Sequence, residues 1–466
     1  MSIEADAGQW AQRMFGHCEL SDARCTDRLV HTMRLLAQHG GGSISQACAK
    51  DAAAMQGGYR LLRNSKMSVQ AMSEAGFAAT VQQLVRGRRT LAIEDSSVLT
   101  YSHSVAEELG DTGGREESQN KGLWSHNTLL VDADSGMTHG LVAQTLWCRD
   151  QQPRGKRHQR HEKLPQEKES FKWSLHAQQM RERLGEHRDE VITVSDRESD
   201  VFAYLWDKHQ HRERFIVRAA QDRALVDSDE RLFETVLTSS VRGQMQVSVP
   251  QRGGRVAREA TLSLRAAAVV LKAPPRQGID AQAQVPVNAI LAEELDVDPA
   301  KALCWLLLTS EPIQTPQQLQ EALRFYAMRW RIEEFHKAWK SGAQVEQMRM
   351  QSKETLERMV VMLAFVAVRL LQLRETLDHA EAAALPCTQV LSDTEWKVLW
   401  VSSAKKPTAY PKSAPTLRWA YQSVAKLGGF YDSKRTGRAS WAAMYEGWMR
   451  LQDQVRVATA LQHQPL

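Results

Sequence analysis

The sequence has few of the features that mark secreted proteins or proteins stabilised by structural zinc. Its 466 residues include six cysteines, which are scattered and form no C-x-x-C pair. Structural zinc sites and disulfide frameworks need cysteines at suitable spacings, so both are disfavoured and a reducing cytosol is expected. The N-terminus also lacks the basic and then apolar pattern of a secretory signal, which again predicts a cytoplasmic protein.

Long apolar runs are missing as well. The longest extends from Met359 to Val368 and is bounded by Arg358 and Arg369. A helix needs about 20 apolar residues to span a bilayer, so this shorter run predicts a buried helix instead. We therefore expect no membrane partner.

The chain has no strong excess of either charge. Lys and Arg total 60 against 55 Asp and Glu, which gives a net charge of +5. This mildly basic balance permits a polyanionic partner without requiring one. The polar stretch 151–168 carries many of the basic side chains, and we interpret it as a solvated loop able to touch a nucleic-acid backbone. A length of 466 residues with 42% apolar residues predicts more than one domain.

What the sequence does contain begins with a small helical unit at residues 1–70, interrupted by a glycine-rich break at 39–42. The unit carries several arginines, among them Arg28 and Arg60, and no acidic run. This composition suits contacts with phosphates. An all-helical interaction module fits the same residues equally well.

β-type segments separated by turn residues follow this unit. We predict three strands between 88 and 150, a helix over Phe171 to Leu184, and a strand over Val191 to Asp196. A mostly β stretch then extends from about 220 to 310. Helix returns at Thr315-Pro316, where an N-cap precedes a proline at the first helical position, and dominates the rest of the chain. The last strong helix is predicted from near Ser440, and its one apolar face is either local core or a seam for a partner helix.

Three acidic residues lie on separate predicted elements. Two strands end in Asp95 and Asp196, and one helix presents Glu333. Carboxylates placed in this way can hold two divalent cations roughly 3.5–4 Å apart, one for the attacking and one for the leaving oxygen of a phosphoryl transfer. Their hard oxygen atoms suit Mg²⁺ or Mn²⁺ and not zinc.

The helix that carries Glu333 is predicted over 326–340. Its polar stripe has spacings of 3, 4 and 7 and consists of Tyr326, Arg329, Glu333 and Lys340. The opposite side is apolar enough to seat the helix on a core. From spacing alone, Arg329 and Glu333 also fit an ordinary ion pair on a solvated helix face.

In order along the chain, these segments resemble the DDE transposases of bacterial insertion sequences, most closely the Tn-five-like members. The similar segments include LAIEDSSVLTYSHSVAEELG, VSDRESDVFAYL, RWRIEEFHKAWKSGA and LERMVVMLAFVAVRLLQLRET. The polar stripe meets the family pattern Y-x2-R-x3-E-x6-K in full. The resemblance extends over nearly the whole chain.

The resemblance implies an α/β fold with an RNase H-like catalytic core and an inserted β subdomain, flanked by helical N-terminal and C-terminal domains. Residues 1–70 would bind DNA, 71–370 would form the catalytic domain with its insertion at about 220–310, and 371–466 would dimerise.

The resemblance also implies a cut-and-paste DNA transposase, which cleaves transposon ends through a hairpin intermediate and joins them to target DNA. Its partners would be double-stranded DNA, both inverted-repeat ends and target, and a second copy of the chain in a homodimer on DNA. Mg²⁺ is the implied cofactor, with Mn²⁺ as a substitute. The implied location is the bacterial cytoplasm, on the nucleoid when DNA is bound.

By motif position, Asp95, Asp196 and Glu333 match the catalytic metal ligands of the family. The resemblance implies DNA contacts for a further set of residues: Tyr326, Arg329, Lys340, Trp305, Arg28, Arg60, Arg218 and Arg349. Trp305 stands where the family stacks a flipped base during hairpin formation. Gln38 and His39 replace a Lys-Tyr pair of the Tn-five-like members, so we expect a different end sequence to be recognised.

Two other functions remain open: a structure-selective nuclease of the same fold, and a non-catalytic DNA-binding regulator of transposition. The presence of all three acids disfavours the regulator. Glu94 is predicted on the opposite strand face from Asp95, and Glu334 is turned by about 100° from Glu333. We expect neither to bind metal, and we expect Glu334→Gln to have a much smaller effect than Glu333→Gln.

Overall fold

A computed structural model describes residues 6–20, 22–49, 51–113, 120–149, 164, 166, 168–249, 258–276, 278–295, 297–298, 302–403, 409–433 and 438–463. Most of the predicted polar loop 151–168 lies outside these residues. The described chain is a mixed α/β structure, with helical N-terminal and C-terminal regions around one large mixed sheet. In this part of the chain, no helix is both long enough and apolar enough to cross a membrane.

The N-terminal region is helical, as predicted. Its helices are α1 (Ala7–Phe15), α2 (Ala23–His39), α3 (Ile44–Ala47), α4 (Ala52–Arg63) and α5 (Val69–Val81). An aspartate or serine side chain caps the first turn of each helix. The glycine-rich break passes so close to a later part of the chain that a Cβ on Gly41 would lie 2.5 Å from the Cα of Ala343.

One nine-stranded sheet organises the middle of the described chain. Its strands are β1 (Thr90–Tyr101), β2 (Lys121–Asp132), β3 (Thr138–Trp147), β4 (Val191–Ser195), β5 (Arg214–Arg218), β6 (Val241–Val249), β7 (Arg258–Lys272), β8 (Gln284–Glu294) and β9 (Cys304–Thr309). The order across the sheet is β3-β2-β1-β4-β5-β9-β8-β7-β6. Strands β1, β4 and β5 are parallel neighbours, and all other neighbouring pairs are antiparallel.

The β stretch predicted at 220–310 continues this sheet through the pairing of β5 with β9. The helices around the sheet are α6 (Phe171–Leu184), α7 (Phe202–Gln210), α8 (Leu232–Thr238), α9 (Pro316–Ala327), α10 (Trp330–Lys337) and α11 (Lys353–Leu377). The predicted buried helix is confirmed in α11, where every residue from Met359 to Val368 is at most 4% exposed.

The C-terminal region contains α12 (Asp393–Ser403), α13 (Leu417–Leu427) and α14 (Trp441–His463). The predicted apolar face of α14 is buried within the chain itself, because it packs beside α11 and α13. On this face, the indole N–H of Trp448 donates to the carbonyl of Gln38 at the end of α2 (3.3 Å). His39 is buried there, and its Nδ1 lies 2.7 Å from the carbonyl oxygen of Gly41.

Arg358 on α11 forms hydrogen bonds with the N-terminal region. Its buried guanidinium donates to the carbonyl oxygens of Leu62 and Met67 and pairs with Glu354. Leu62 lies in the last turn of α4, where the carbonyl groups lack partners inside the helix. This arginine therefore supplies hydrogen bonds that the N-terminal region cannot make alone.

Replacing Arg358 tests this attachment. Arg358→Met keeps most of the aliphatic length and removes every donor. A buried polar group left without a partner costs about 1–3 kcal/mol, so we expect the free energy of unfolding to fall by about 2–4 kcal/mol. Arg24→Met is the control, because that guanidinium is 89% exposed in its pair with Asp22. Equal melting temperatures for the Arg358 variant and the unmodified chain would contradict the attachment.

Candidate metal and nucleic-acid site

Asp95 and Asp196 are brought together by neighbouring strands. Strands β1 and β4 run parallel, and Ile93 pairs with Val194. Asp95 lies two residues further along β1, which continues to Tyr101, so the prediction that this strand ends at Asp95 was wrong. Asp196 directly follows the last residue of β4, and its charge acts on Asp95. The Oδ1 atoms accept from the backbone N–H groups of Ser96 (2.8 Å) and Glu198 (2.9 Å), respectively.

The electrostatics of Asp95 reflect this proximity. Burial, and then the negative charge of Asp196, raise the pKa of Asp95 to about 7. A hydrogen bond from Ser96 and the positive charge of Arg329 act in the opposite direction. Two carboxylates this close are expected to share a cation or a proton, because their charges repel in a partly buried site.

Arg329 connects Glu333 to Asp95. One guanidinium nitrogen donates to Oε1 of Glu333 (2.7 Å), and the other lies 3.5 Å from Oδ2 of Asp95. The Arg329 side chain is only 18% exposed, and the two carboxylates are 27% and 21% exposed. An ordinary ion pair on a solvated helix face therefore does not account for all of these contacts, since the guanidinium contacts two of the three predicted metal ligands.

The helix predicted over 326–340 is interrupted, so that prediction was wrong in its continuity. Helix α9 ends at Ala327, α10 spans Trp330–Lys337, and Ala338–Gly342 forms a π-helical turn. At the first junction the N–H of Arg329 bonds the carbonyl three residues back. Tightened and widened turns leave the apolar spacing almost unchanged, so the sequence pattern could not reveal them. The apolar side is buried as predicted.

Tyr326, Trp305 and Arg218 form a cluster beside Arg329. The rings of Trp305 and Tyr326 meet edge to face with centroids 5.4 Å apart. Burial raises the pKa of Tyr326, against the opposing charge and hydrogen bond of Arg218. Arg218 also donates to the carbonyl of Cys304 (3.0 Å), while its buried Nε has no partner among the described residues. Trp305 is half-buried, so part of its ring faces solvent.

Lys340 lies along the outer part of β1. Its ammonium donates to the carbonyl of Val98 (2.7 Å) and is 3.9 Å from the carboxylate of Glu346. Glu346 in turn accepts from the N–H (2.9 Å) and the hydroxyl (3.0 Å) of Thr100. The structure thus places Lys340 beside β1. Its contact, Val98, is three residues beyond Asp95 on the same strand.

The other predicted DNA contacts are exposed and lie outside this cluster. Arg28 and Arg60 are on α2 and α4 of the N-terminal region. Gly57 leaves room for Arg28, because a Cβ there would come within 2.6 Å of its guanidinium. Arg349 is near His103, whose pKa is lowered by burial and then by the charge of this arginine.

Sequence reasoning missed a basic cleft that begins beside Asp196. The cleft has a volume of about 1040 Å³, and its basic lining includes Lys168, Arg197, Lys272 and Arg276. Its wall also holds three acids: Asp200 is neutralised by Arg223 and two backbone N–H groups, Asp222 pairs with Arg231, and Glu198 lies 3.5 Å from Lys172. Arg197 follows Asp196 directly in the sequence, whereas Lys272 is brought to the cleft by the pairing of residues 224–226 with residues 270–272.

The N-terminal region is similar to a known protein family. Residues 7–67 match the family described as transposase DNA-binding. The match supports a DNA-binding transposase. It includes helices α1 to α4, together with Arg28 and Arg60. The alternative of a general interaction module for this region is therefore disfavoured.

A second group of potential metal ligands lies on the other face of β1. Glu94, His126 and His176 are fully buried, and their ligand atoms all lie within 4.8 Å of one another, the one such group of three among the described residues. Both nitrogens of His176 already contact threonine hydroxyls (2.8 and 3.0 Å), and Glu94 accepts from Tyr204 (3.0 Å). Burial raises the pKa of Glu94 to about 7. This group is part of the buried core, and most of its polar atoms are hydrogen-bonded, while Nε2 of His126 has no hydrogen-bond partner among the described residues.

The three predicted ligands fit Mg²⁺ or Mn²⁺ by donor chemistry. Asp95, Asp196 and Glu333 offer only carboxylate oxygens, which hard divalent cations prefer. They are spread more widely than a group around one ion, and Arg329 lies between two of them. Such spacing is compatible with two ions, provided that the guanidinium moves away.

The raised pKa of Asp95 predicts that ionisation of this carboxyl lowers the free energy of unfolding of the metal-free protein. The folded carboxyl has a pKa of about 7, above its ordinary value of 3.8, so stability is lost as pH rises between these values. We expect Asp95→Asn to increase the free energy of unfolding by about 2 kcal/mol at about pH 8 and by less at about pH 5. Denaturant unfolding in a chelator measures this difference.

Asp132→Asn is the matched control with the opposite sign. Its pKa is lowered because hydrogen bonds from Ser135 outweigh the effect of burial, so its charge stabilises the fold above the ordinary pKa. We expect the Asp132 variant to be less stable at about pH 8. Destabilisation by Asp95→Asn under the same conditions would refute the electrostatic description of the site.

Proposed function

We propose that the chain is a metal-dependent transposase of the DDE class, similar to the Tn-five-like members of that family. In this proposal, β1 to β5 with their helices form the RNase H-like core, and β6 to β9 belong to the inserted β subdomain. The observation that carries it is the meeting of Asp95 and Asp196 on neighbouring strands, with Glu333 joined to Asp95 through Arg329.

Asp95, Asp196 and Glu333 would hold the metal ions. Mg²⁺ bound there would stabilise the charge that develops on the attacking and leaving oxygens of a phosphodiester. Arg329 occupies part of this space in the metal-free protein, and DNA offers it another partner. An arginine binds phosphate through two parallel N–H donors, so a scissile-strand phosphate can draw it away from the carboxylates.

The reaction we propose is cut and paste. Water first cleaves one strand at the transposon end, and the freed 3′-hydroxyl attacks the opposite strand to form a hairpin. Water then opens the hairpin, and the 3′-hydroxyl finally attacks target DNA. Each step is an in-line phosphoryl transfer, so a single set of carboxylates can serve all of them.

The Trp305 cluster would hold the DNA end during these steps. A strand that turns sharply into a hairpin must release a base from its stack, and the exposed part of the Trp305 ring offers a surface for it. Stacking of one base on an aromatic ring contributes roughly 1–3 kcal/mol. Tyr326 supports the ring, and Arg218 places a positive charge beside it. The basic cleft beside Asp196 offers further contacts for a phosphate backbone.

We also propose a homodimer on DNA, formed through the C-terminal region. The apolar face of α14 near Trp441 is used inside the chain. The exposed apolar side chains in this region lie elsewhere and include Val401 on α12, together with Val457 and Leu461 toward the end of α14. These positions are the surfaces available for a second copy.

Glu333→Gln is the direct test of catalysis. The change keeps the size of the side chain and removes its charge, so the metal site loses a ligand. We expect nicking, hairpin formation and strand transfer to fall together by at least about 100-fold, because they share one site. End binding should persist, since the N-terminal region is unchanged. The assay uses a labelled duplex of the inverted repeat that flanks the gene, with Mg²⁺.

The same samples separate the three functions. Normal cleavage by Glu333→Gln would refute the metal site and leave Arg329 and Glu333 as a structural ion pair. Cleavage of the end without joining of a pre-cut end to a plasmid would favour the structure-selective nuclease. Tight binding with no cleavage by the unmodified protein would favour the regulator.

End binding by the N-terminal region is tested separately. Arg28→Ala and Arg60→Ala each remove an exposed cation from the part that matches the DNA-binding family. We expect weaker binding to the end and a salt dependence whose slope is smaller by about 1 for each phosphate that the variant no longer binds. Gel shifts over a series of salt concentrations measure both quantities.

Arg418→Ala provides the comparison, because Arg418 is equally exposed but lies on α13 in the C-terminal region. Its binding curve should match that of the unmodified chain. Identical affinities and salt slopes for all three variants would remove Arg28 and Arg60 from the proposed interface.

A further inference from the structure

Glu334, the neighbour of the proposed ligand Glu333, accepts hydrogen bonds from side chains on three helices. Its Oε2 accepts from the indole N–H of Trp441 on α14 (2.9 Å) and from Arg374 on α11 (3.1 Å). Its Oε1 accepts from Lys337 on α10 (2.8 Å). The side chain is only 19% exposed, so these contacts are made largely away from water.

Arg374 and Trp441 also contact each other. The guanidinium of Arg374 lies 4.3 Å from the centroid of the indole ring and is 12% exposed. The carboxylate, the guanidinium and the indole therefore form a closed set, in which each group contacts the other two. Cation–π contact and charged hydrogen bonds reinforce one another in such a set.

Helix α10 needs external contacts of this kind. It has only 8 residues, and it lies between the tightened turn at Arg329 and the π-helical turn at Ala338–Gly342. A helix this short has little stability of its own, so its orientation depends on what it packs against. Because Glu333 and Glu334 are adjacent on α10, a rotation of the helix that releases Glu334 turns Glu333 through the same angle.

A second contact holds α10 on the same side as Glu334, because residues three apart share a helix face. Arg331 pairs with Glu375 (3.2 Å), and Glu375 accepts from the N–H (2.8 Å) and hydroxyl (2.9 Å) of Thr138 at the start of β3. This contact ties α10 to the sheet. The Glu334 contact is different, because it reaches the C-terminal region through Trp441.

We infer that Glu334 is a positioning residue, which orients Glu333 toward the metal ions and couples helix α14 to the metal site. The inference rests on the proposed function, because it takes Glu333 to be a metal ligand. Glu334 lies off the polar stripe, and helical spacing alone gave this side chain no role. It also provides a physical path by which contacts made by the C-terminal region reach the active site.

The test measures binding of Mn²⁺ to the full chain in complex with a duplex of its transposon end, which gives Arg329 a phosphate partner. Binding is read from the loss of the free Mn²⁺ electron paramagnetic resonance signal beyond the loss caused by the duplex alone. Glu334→Ala removes all three contacts and keeps helix propensity high. Trp441→Phe removes only the indole donor and keeps an aromatic ring. We expect Glu334→Ala to weaken Mn²⁺ binding about 10-fold, as is typical for residues that orient a ligand, with a smaller loss for Trp441→Phe. The double variant should bind no more weakly than Glu334→Ala, because both changes act through one contact.

Two further variants make the outcome specific. Glu334→Gln keeps one acceptor oxygen and should recover part of the affinity. Glu446→Ala, which removes an exposed ion pair with Arg450 on α14, should bind Mn²⁺ like the unmodified chain. A general loss of packing would instead lower the melting temperature of the variants without this order of affinities.

The failure of this inference can be distinguished from failure of the proposed function. If Glu333→Gln loses Mn²⁺ and Glu334→Ala binds it normally, the positioning role is wrong and the metal site stands. If Mn²⁺ binding does not depend on Glu333, both are wrong. Should Glu334→Ala fail to fold, Trp441→Phe decides alone, and unchanged affinity in that variant overturns the inference.

Discussion

The contact of Arg329 with two carboxylates is the interaction on which the proposed site depends. Asp95 and Asp196 are close enough for their charges to repel, and burial adds to the cost of ionising Asp95. The guanidinium compensates part of this charge while it holds Glu333 next to Asp95. In the proposed function, divalent ions take its place once a phosphate offers it another partner. Charge balance would then link the metal-free protein to the proposed state in which both DNA and metal are bound.

This exchange requires a rigid frame, which the buried helix α11 provides. At its start, Arg358 holds the end of α4 and so the DNA-binding region. Its middle is part of the main core, and near its end Arg374 and Glu375 pair with Glu334 and Arg331 of α10. One helix therefore contacts the DNA-binding region, the helix that carries Glu333 and the C-terminal region. These regions are joined to one another by close packing around α11.

The sequence predicted those features that depend on local pattern. The helix Phe171–Leu184, the buried α11 and the apolar face of α14 all follow from apolar spacing, and the structure confirms them. The break between α9 and α10 was missed because it alters hydrogen bonding and not spacing. The basic cleft was also missed, since Lys272 and Arg276 are distant from Arg197 in the sequence and meet it only in the folded chain. Glu334 was undervalued for the same reason, because its partners are on helices distant in sequence.

The most direct test of the central claim is to locate the metal. Crystals of the protein with a duplex of its transposon end would be soaked in Mn²⁺, and anomalous scattering would be measured. The account predicts two peaks roughly 3.5–4 Å apart between Asp95, Asp196 and Glu333, with Arg329 turned from Glu333 toward a phosphate. Absence of a peak among these carboxylates, or a peak only at Glu94, His126 and His176, would contradict it.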